Sequence, residues 1–175
     1  MRRTTKFWIA MCAAMAVLSL SATGLAGKPA AKPQPMRKIP GITAEDPHPN
    51  ACVDCHKNHP EMKFDGRLST LLTRFGTKVD DDVLVKAKAA AADPAFIKGK
   101  HPTVTQAFQS IPHACLQCHK ADSKQAPPFA KLMHAIHLVG GEKNHFLAMA
   151  QGDCTHCHKL DQKTGAWSLP TSPEK

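Results

Sequence analysis

One five-residue pattern occurs three times in this chain and limits its possible folds more than any other feature. Cys52-Val53-Asp54-Cys55-His56, Cys115-Leu116-Gln117-Cys118-His119 and Cys154-Thr155-His156-Cys157-His158 all read Cys-x-x-Cys-His, and a lysine follows each copy (Lys57, Lys120, Lys159). The three copies use six of the seven cysteines; the seventh, Cys12, sits in an apolar N-terminal run. The shared trailing lysine suggests internal duplication. Material for an ordinary core is scarce: 5% of the 175 residues are aromatic and none is Tyr, whereas 10 Gly and 14 Pro imply many loops. Seven Cys and 11 His are many for this length, so something other than side chains is expected to fill the middle.

Cys-x-x-Cys-His is the attachment pattern of c-type haem. The two-residue gap lets both sulfurs reach the vinyl edges of one porphyrin as thioethers, and the adjacent histidine falls beneath the iron as its proximal ligand. The expected cofactors are therefore three covalently bound haem c groups. Cys52, Cys55, Cys115, Cys118, Cys154 and Cys157 would attach them, with His56, His119 and His158 as proximal ligands. Other chemistries compete for the same residues. Zinc accepts thiolate pairs with a histidine, but tetrahedral sites would have to share ligands between motifs and leave a pair over. Exported thiols also form disulfides. Thioredoxin-like exchange needs a βαβ context that the hydrophobic pattern does not offer.

The N-terminus reads as a secretory signal over residues 1–26. Arg2, Arg3 and Lys6 precede the uncharged run Phe7–Leu20, and Gly24-Leu25-Ala26 fits a small-residue cleavage site. The run is short for a membrane span, so the mature chain is expected to have no stable span and to be periplasmic or extracellular. Losing residues 1–26 lowers the formal charge from +9 to +6. A basic chain could bind nucleic acid or an anionic surface. Export and the scattered lysines argue against nucleic acid, and the haem propionates would offset the charge. Residues 27–50 hold six prolines and read as a Pro-rich linker or arm. Residues 51–175 form the haem-binding domain.

That domain is expected to be mainly α with long loops, a small fold organised around the three haems. Leu68, Leu71, Leu72 and Phe75 share a helical face ended by Gly76, and Asp81–Ala92 is Ala-rich with an acidic start and Pro94 beyond it. Val104, Ala107, Phe108 and Ile111 repeat the helical spacing before Pro112, and Phe129, Leu132, Met133 and Ile136 do so before Gly140-Gly141. No segment carries a convincing strand alternation.

Each iron needs a second axial ligand, and eight histidines lie outside the proximal positions. His137 and His134 sit three apart on one predicted helix, so that helix could tie two haems together. His59 could reach a neighbouring haem but not readily the iron of His56. His101 would begin the helix before the second motif, and His145 is the main reserve. His156, His48 and His113 read as surface or propionate-contacting residues. Met62, Met133 and Met149 are the rival ligands, and they would raise the potential; Met133 belongs to an apolar stripe and reads as core.

These motifs, with the spare histidines and small size, resemble class III multihaem cytochromes c, the periplasmic trihaem and tetrahaem carriers of sulfate- and iron-reducing bacteria. Met133-His134-Ala135-Ile136-His137 also resembles segments of larger cytochromes from metal-respiring bacteria. The resemblance implies low-potential, bis-histidine haems packed close together in anaerobic respiration. Residues 57–114 depart from it as a long haemless insert. The expected function is electron transfer between redox proteins, such as a quinol dehydrogenase, other cytochromes and a terminal reductase. Alternatives are a reductase with one open haem, or a haem-bearing subunit of a larger assembly or filament formed by self-association.

Overall fold

The helices follow the hydrophobic spacing where it is long enough to nucleate them. The computed structural model describes residues 36–175. The expected secretory segment 1–26 and the first part of the Pro-rich arm, 27–35, lie outside the described residues. The rest is mainly helical with long loops. α1 is the single turn Cys52–Cys55, followed by an antiparallel pair, β1 (Asn58–His59) and β2 (Phe64–Asp65). Then come α2 (Leu68–Thr77), α3 (Asp81–Ala90), α4 (Phe129–Leu138) and α5 (His145–Ala150). A second two-stranded pair, β3 (Lys159–Leu160) and β4 (Trp167–Ser168), follows the third motif. Short 3₁₀ turns carry Cys115–Gln117 and Cys154–His156.

Asp81 and Asp82 in the first turn of α3 and Lys88 in its last complement the helix dipole. The stop expected at Gly76 comes slightly later, at Thr77. The segment 104–111 differs more: it forms a 3₁₀ helix over Thr105–Gln109 rather than an α-helix. Pro112 cannot continue a helix and disfavours helical backbone at Ile111 before it. Ile111 is instead drawn into an antiparallel bridge with Ser172. His101 therefore precedes an irregular segment and opens no amphipathic helix. The strand pairs were not expected; each is two residues long, below the length at which alternation can be read.

Alanines on α3 meet α4 at close range. Ala87, Ala90 and Leu132 are buried together, with Ile97, Met133 and Ile136 packed around them. Elsewhere burial is sparse. The remaining buried hydrophobic residues are Ala51, Val53, Val79 and Ile111, and the apolar stripe of α2 contributes no buried side chain. Asn144 ties α4 to α5. Its side chain is 5% exposed, donates to the carbonyls of Ile136 (2.8 Å) and Val139 (2.9 Å), and accepts from the Phe146 N–H (3.0 Å). It thus closes the end of one helix and caps the start of the next.

Both flanks dock on the motifs. In the described part of the arm, the Gly41 and Ile42 carbonyls accept from the Gln162 amide, and Asp46 pairs with Lys159 behind the third motif at 2.9 Å. At the other end Lys175 pairs with Asp54 inside the first motif, and Glu174 accepts from the Ser69 N–H at 2.9 Å. Among the described residues no helix is long and apolar enough to cross a membrane.

Candidate functional site

Each motif histidine faces one histidine from elsewhere in the chain. The ring centres of His56 and His137, of His119 and His101, and of His158 and His134 are all 6.1 Å apart. A metal–imidazole bond of about 2 Å, with about 1 Å more from nitrogen to ring centre, places two imidazoles on opposite sides of one metal about 6 Å apart. The three spacings fit that requirement. They differ in orientation: the rings are nearly perpendicular in site I (His56–His137, 85°), nearly parallel in site II (His119–His101, 9°) and intermediate in site III (His158–His134, 48°).

Backbone carbonyls fix four of these rings. The Nδ1 atoms of His56, His119, His101 and His137 lie 3.1, 2.7, 2.8 and 2.9 Å from the carbonyl oxygens of Gly66, Pro127, Pro102 and Met133. A carbonyl only accepts, so Nδ1 must carry the proton, and Nε2 is left with a free lone pair. Burial pushes His56, His101 and His137 toward the neutral form, and for all three a neighbouring imidazole pushes the same way. Neutral rings with Nε2 bare are the form that binds a metal.

Local structure delivers each ring. β1 and β2 fold back over His56, where the Gly66 N–H also donates to the Lys57 carbonyl at 3.0 Å. A Cβ at Gly66 would stand 3.1 Å from that oxygen and 2.9 Å from the Phe64 ring, so only glycine allows this approach. The end of α2 holds His101, whose N–H donates to the Phe75 carbonyl at 2.9 Å. The insert between the first two motifs thus supplies a partner ring for the second. The His119 carbonyl accepts from the Phe129 N–H at the start of α4, and α4 carries both His134 and His137. One helix therefore serves sites I and III.

The thiols converge as well. Cys52 is pushed up to about 11, first by burial and then by the nearby Cys157 and Cys115 thiols. Burial raises Cys55, Cys115 and Cys157 too. These shifts are opposite to those of a reactive redox pair. All six thiols are free, and Cys55, Cys118 and Cys154 are exposed.

The other candidates lie outside the pairs. His59 is held by α1 and β2: its Nε2 donates to the Cys55 carbonyl at 3.0 Å, and its ring stacks on Phe64. His145 is exposed at the first residue of α5. Met133 packs on the core, while Met62 and Met149 are 54% and 77% exposed. His48 and His156 stack with centres 4.7 Å apart, too close to enclose a metal between them. Phe146 stands edge-on to both His137 and His156. Sequence reasoning missed the supporting groups Gly66, Pro127, Asn144 and Phe146. Of these, the Pro127-Pro128 step before α4 and the helix-capping Asn144 left a readable signal.

No family model, curated protein or solved structure matches this chain.

Proposed function

We propose that this chain is an exported trihaem c-type cytochrome that carries electrons between redox proteins of a bacterial cell envelope. The observation that carries the reading is the common 6.1 Å spacing of the three histidine pairs, each formed by a Cys-x-x-Cys-His histidine and a distant partner. A zinc reading has less support, because among the described residues no three His, Cys, Asp or Glu side chains gather around one point. The donor set fits haem c: two thiols for covalent attachment, and two imidazoles with ring centres 6.1 Å apart.

When bound, the haems supply one-electron chemistry between ferric and ferrous iron. The chain's own residues do the rest. His56 with His137, His119 with His101, and His158 with His134 would hold each iron between two imidazoles, which favours outer-sphere transfer over substrate chemistry. The carbonyls of Gly66, Pro127, Pro102 and Met133 hold four of the rings through Nδ1, so little reorganisation of sites I and II would accompany a change of charge. α4 links sites I and III, and the thiols of Cys115 and Cys157 lie near enough to Cys52 to raise it. Cys55, Cys118 and Cys154 bring an edge of each site to the surface, where a redox partner could dock across a small, transient interface. A quinol dehydrogenase as donor, with another cytochrome or a terminal reductase as acceptor, follows from the expected export and the class III resemblance.

Intact mass and a reduced-minus-oxidised visible spectrum of the purified protein test this. Three covalent haem masses on a chain beginning near Gly27 are expected. Colourless protein, or pigment lost entirely to acidified acetone, overturns it. Cys115→Ala with Cys118→Ala should leave two haems by pyridine haemochrome assay.

A further inference from the structure

Each ring of site II is turned by a carbonyl of its own stretch of chain: His101 by Pro102, one residue on, and His119 by Pro127, eight residues on. Neither anchor crosses from one ring's carrier to the other's. The 9° between the two planes therefore depends on how the two carriers are held to each other. The first carrier is α2. The Phe75 carbonyl near its end accepts from the His101 N–H at 2.9 Å, and the Val79 N–H just beyond donates to the Gly99 carbonyl at 2.9 Å. The second carrier leads into the second motif. There the Pro112 carbonyl accepts from the Cys115 N–H at 3.0 Å, and the Cys115 carbonyl accepts from the His119 N–H at 3.0 Å. Among the described residues no hydrogen bond runs directly from α2 to residues 104–119.

Residues 172–174 bridge that gap. Ser172 and Ile111 exchange two backbone hydrogen bonds of 2.9 Å each, and the Glu174 N–H donates to the Phe108 carbonyl at 2.8 Å. Ile111 is buried, so this end of the bridge is seated in the interior. The Glu174 carboxylate reaches the other way and accepts from the Ser69 N–H, at 2.9 Å, in the first turn of α2. The N-cap residue of α2, Arg67, makes no side-chain cap of its own. A carboxylate there satisfies a donor that the helix leaves open and complements the positive end of its dipole.

Resting on the trihaem reading, we propose that Ser172 and Glu174 form a clasp that positions site II by setting the angle at which His101 faces His119. Two carriers joined through the irregular stretch 102–111 alone can pivot about it. The clasp holds them at two separated places, Ser69 on one side and Phe108 with Ile111 on the other, and so removes the pivot. The two carbonyl anchors turn each ring within its carrier, and the clasp fixes one carrier against the other. Site III is the internal control, because its rings ride on α4 and the third motif, which the clasp does not touch.

Electron paramagnetic resonance of the oxidised holoprotein, with three haems per chain already verified, is the test. A chain ending at Thr171 should lose the rhombic low-spin signal expected of the near-parallel rings in site II, while the site III signal keeps its shape. In the full-length chain Glu174→Ala should move the site II signal the same way, toward a larger highest g value. Glu174→Gln keeps an acceptor for the Ser69 N–H and should restore the native line shape. An unchanged site II signal in the shortened chain overturns the proposal. Matching changes at sites II and III overturn it too, because the tail would then stabilise the fold without positioning this site. If the shortened chain fails to accumulate, the two Glu174 variants decide: identical site II signals in Glu174→Ala and Glu174→Gln overturn the proposal. A chain that carries no haem fails earlier, at the mass measurement, and so refutes the cytochrome reading rather than this one.

Discussion

Sites II and III use the same residue types at the same ring spacing, yet the chain treats them differently. His101 comes from an irregular segment and His119 from the exit of a 3₁₀ turn, and each is anchored to a proline carbonyl; their planes lie 9° apart. His134 rides on a regular helix and His158 on a 3₁₀ turn exit; neither is anchored, and their planes lie 48° apart. A helix fixes where a side chain starts but not how its ring is turned. A carbonyl at hydrogen-bond distance fixes the turn. Ring orientation in this protein is thus set by the backbone oxygen that each ring meets more than by the element that carries it.

The sharpest way to break this comparison is to remove one ring from each site. His101→Ala should convert one iron in three from low to high spin by electron paramagnetic resonance, with the other two unchanged. Three unchanged low-spin irons would disprove the pairing. In the unmutated protein the parallel planes of site II should give a rhombic low-spin signal. The perpendicular planes of site I leave two iron d orbitals nearly degenerate and should give an axial signal with one very large g value. His101→Ala should delete the first signal and His137→Ala the second; a single shared line shape would contradict the angles.

Asn144→Ala separates α4 from site II. It removes three hydrogen bonds at a buried position and should cost about 1–3 kcal/mol, seen as a lower Tm. The signals of sites I and III should broaden while that of site II holds. Equal broadening of all three would mean that α4 has no special part in positioning His134 and His137.

The smallest expected effect is acid release of the C-terminal tail. Burial alone would raise the Asp54 carboxyl, but hydrogen bonds from Lys175 and Asn50 outweigh it and hold the group below its ordinary 3.8. A lowered folded value means that this contribution is present above pH 3.8 and is lost as pH falls through the depressed value. The Asp54 carboxyl, followed by NMR, should therefore titrate below its ordinary value, and Lys175→Ala should move it back up. An unchanged Asp54 titration in Lys175→Ala would show that the clamp holds nothing.

Much of this arrangement is legible in the chain, and the failures have physical causes. The stripes at 68–75 and 129–136 became α2 and α4 because both run for several turns without proline. The stripe at 104–111 did not, because prolines flank it at close range. The spare histidines His137, His134 and His101 could be shortlisted by number and placement, but their pairing depends on how the insert folds back from α2, which no local pattern encodes. His59 has the same chemistry and a tempting position; it was lost to a carbonyl four residues away. The anchoring oxygens of Gly66, Pro102, Pro127 and Met133 were illegible, since every residue has a carbonyl and only the fold selects which one a ring meets.

The crossed connectivity of the pairs also dictates a schedule. A chain emerging from its N-terminus exposes His56 first, but its partner His137 lies beyond the second motif. His101 and His119 are both out before His137 appears, and His158 comes last. On the proposed ligation, site II completes before site I, which must wait half-finished while more than half of the described chain is made. The span that must close on His56 is also the longest and carries the largest loop-closure cost. Maturation would therefore begin in the middle of the sequence, and a chain arrested just after His119 would hold one finished centre and one still awaiting its second ligand.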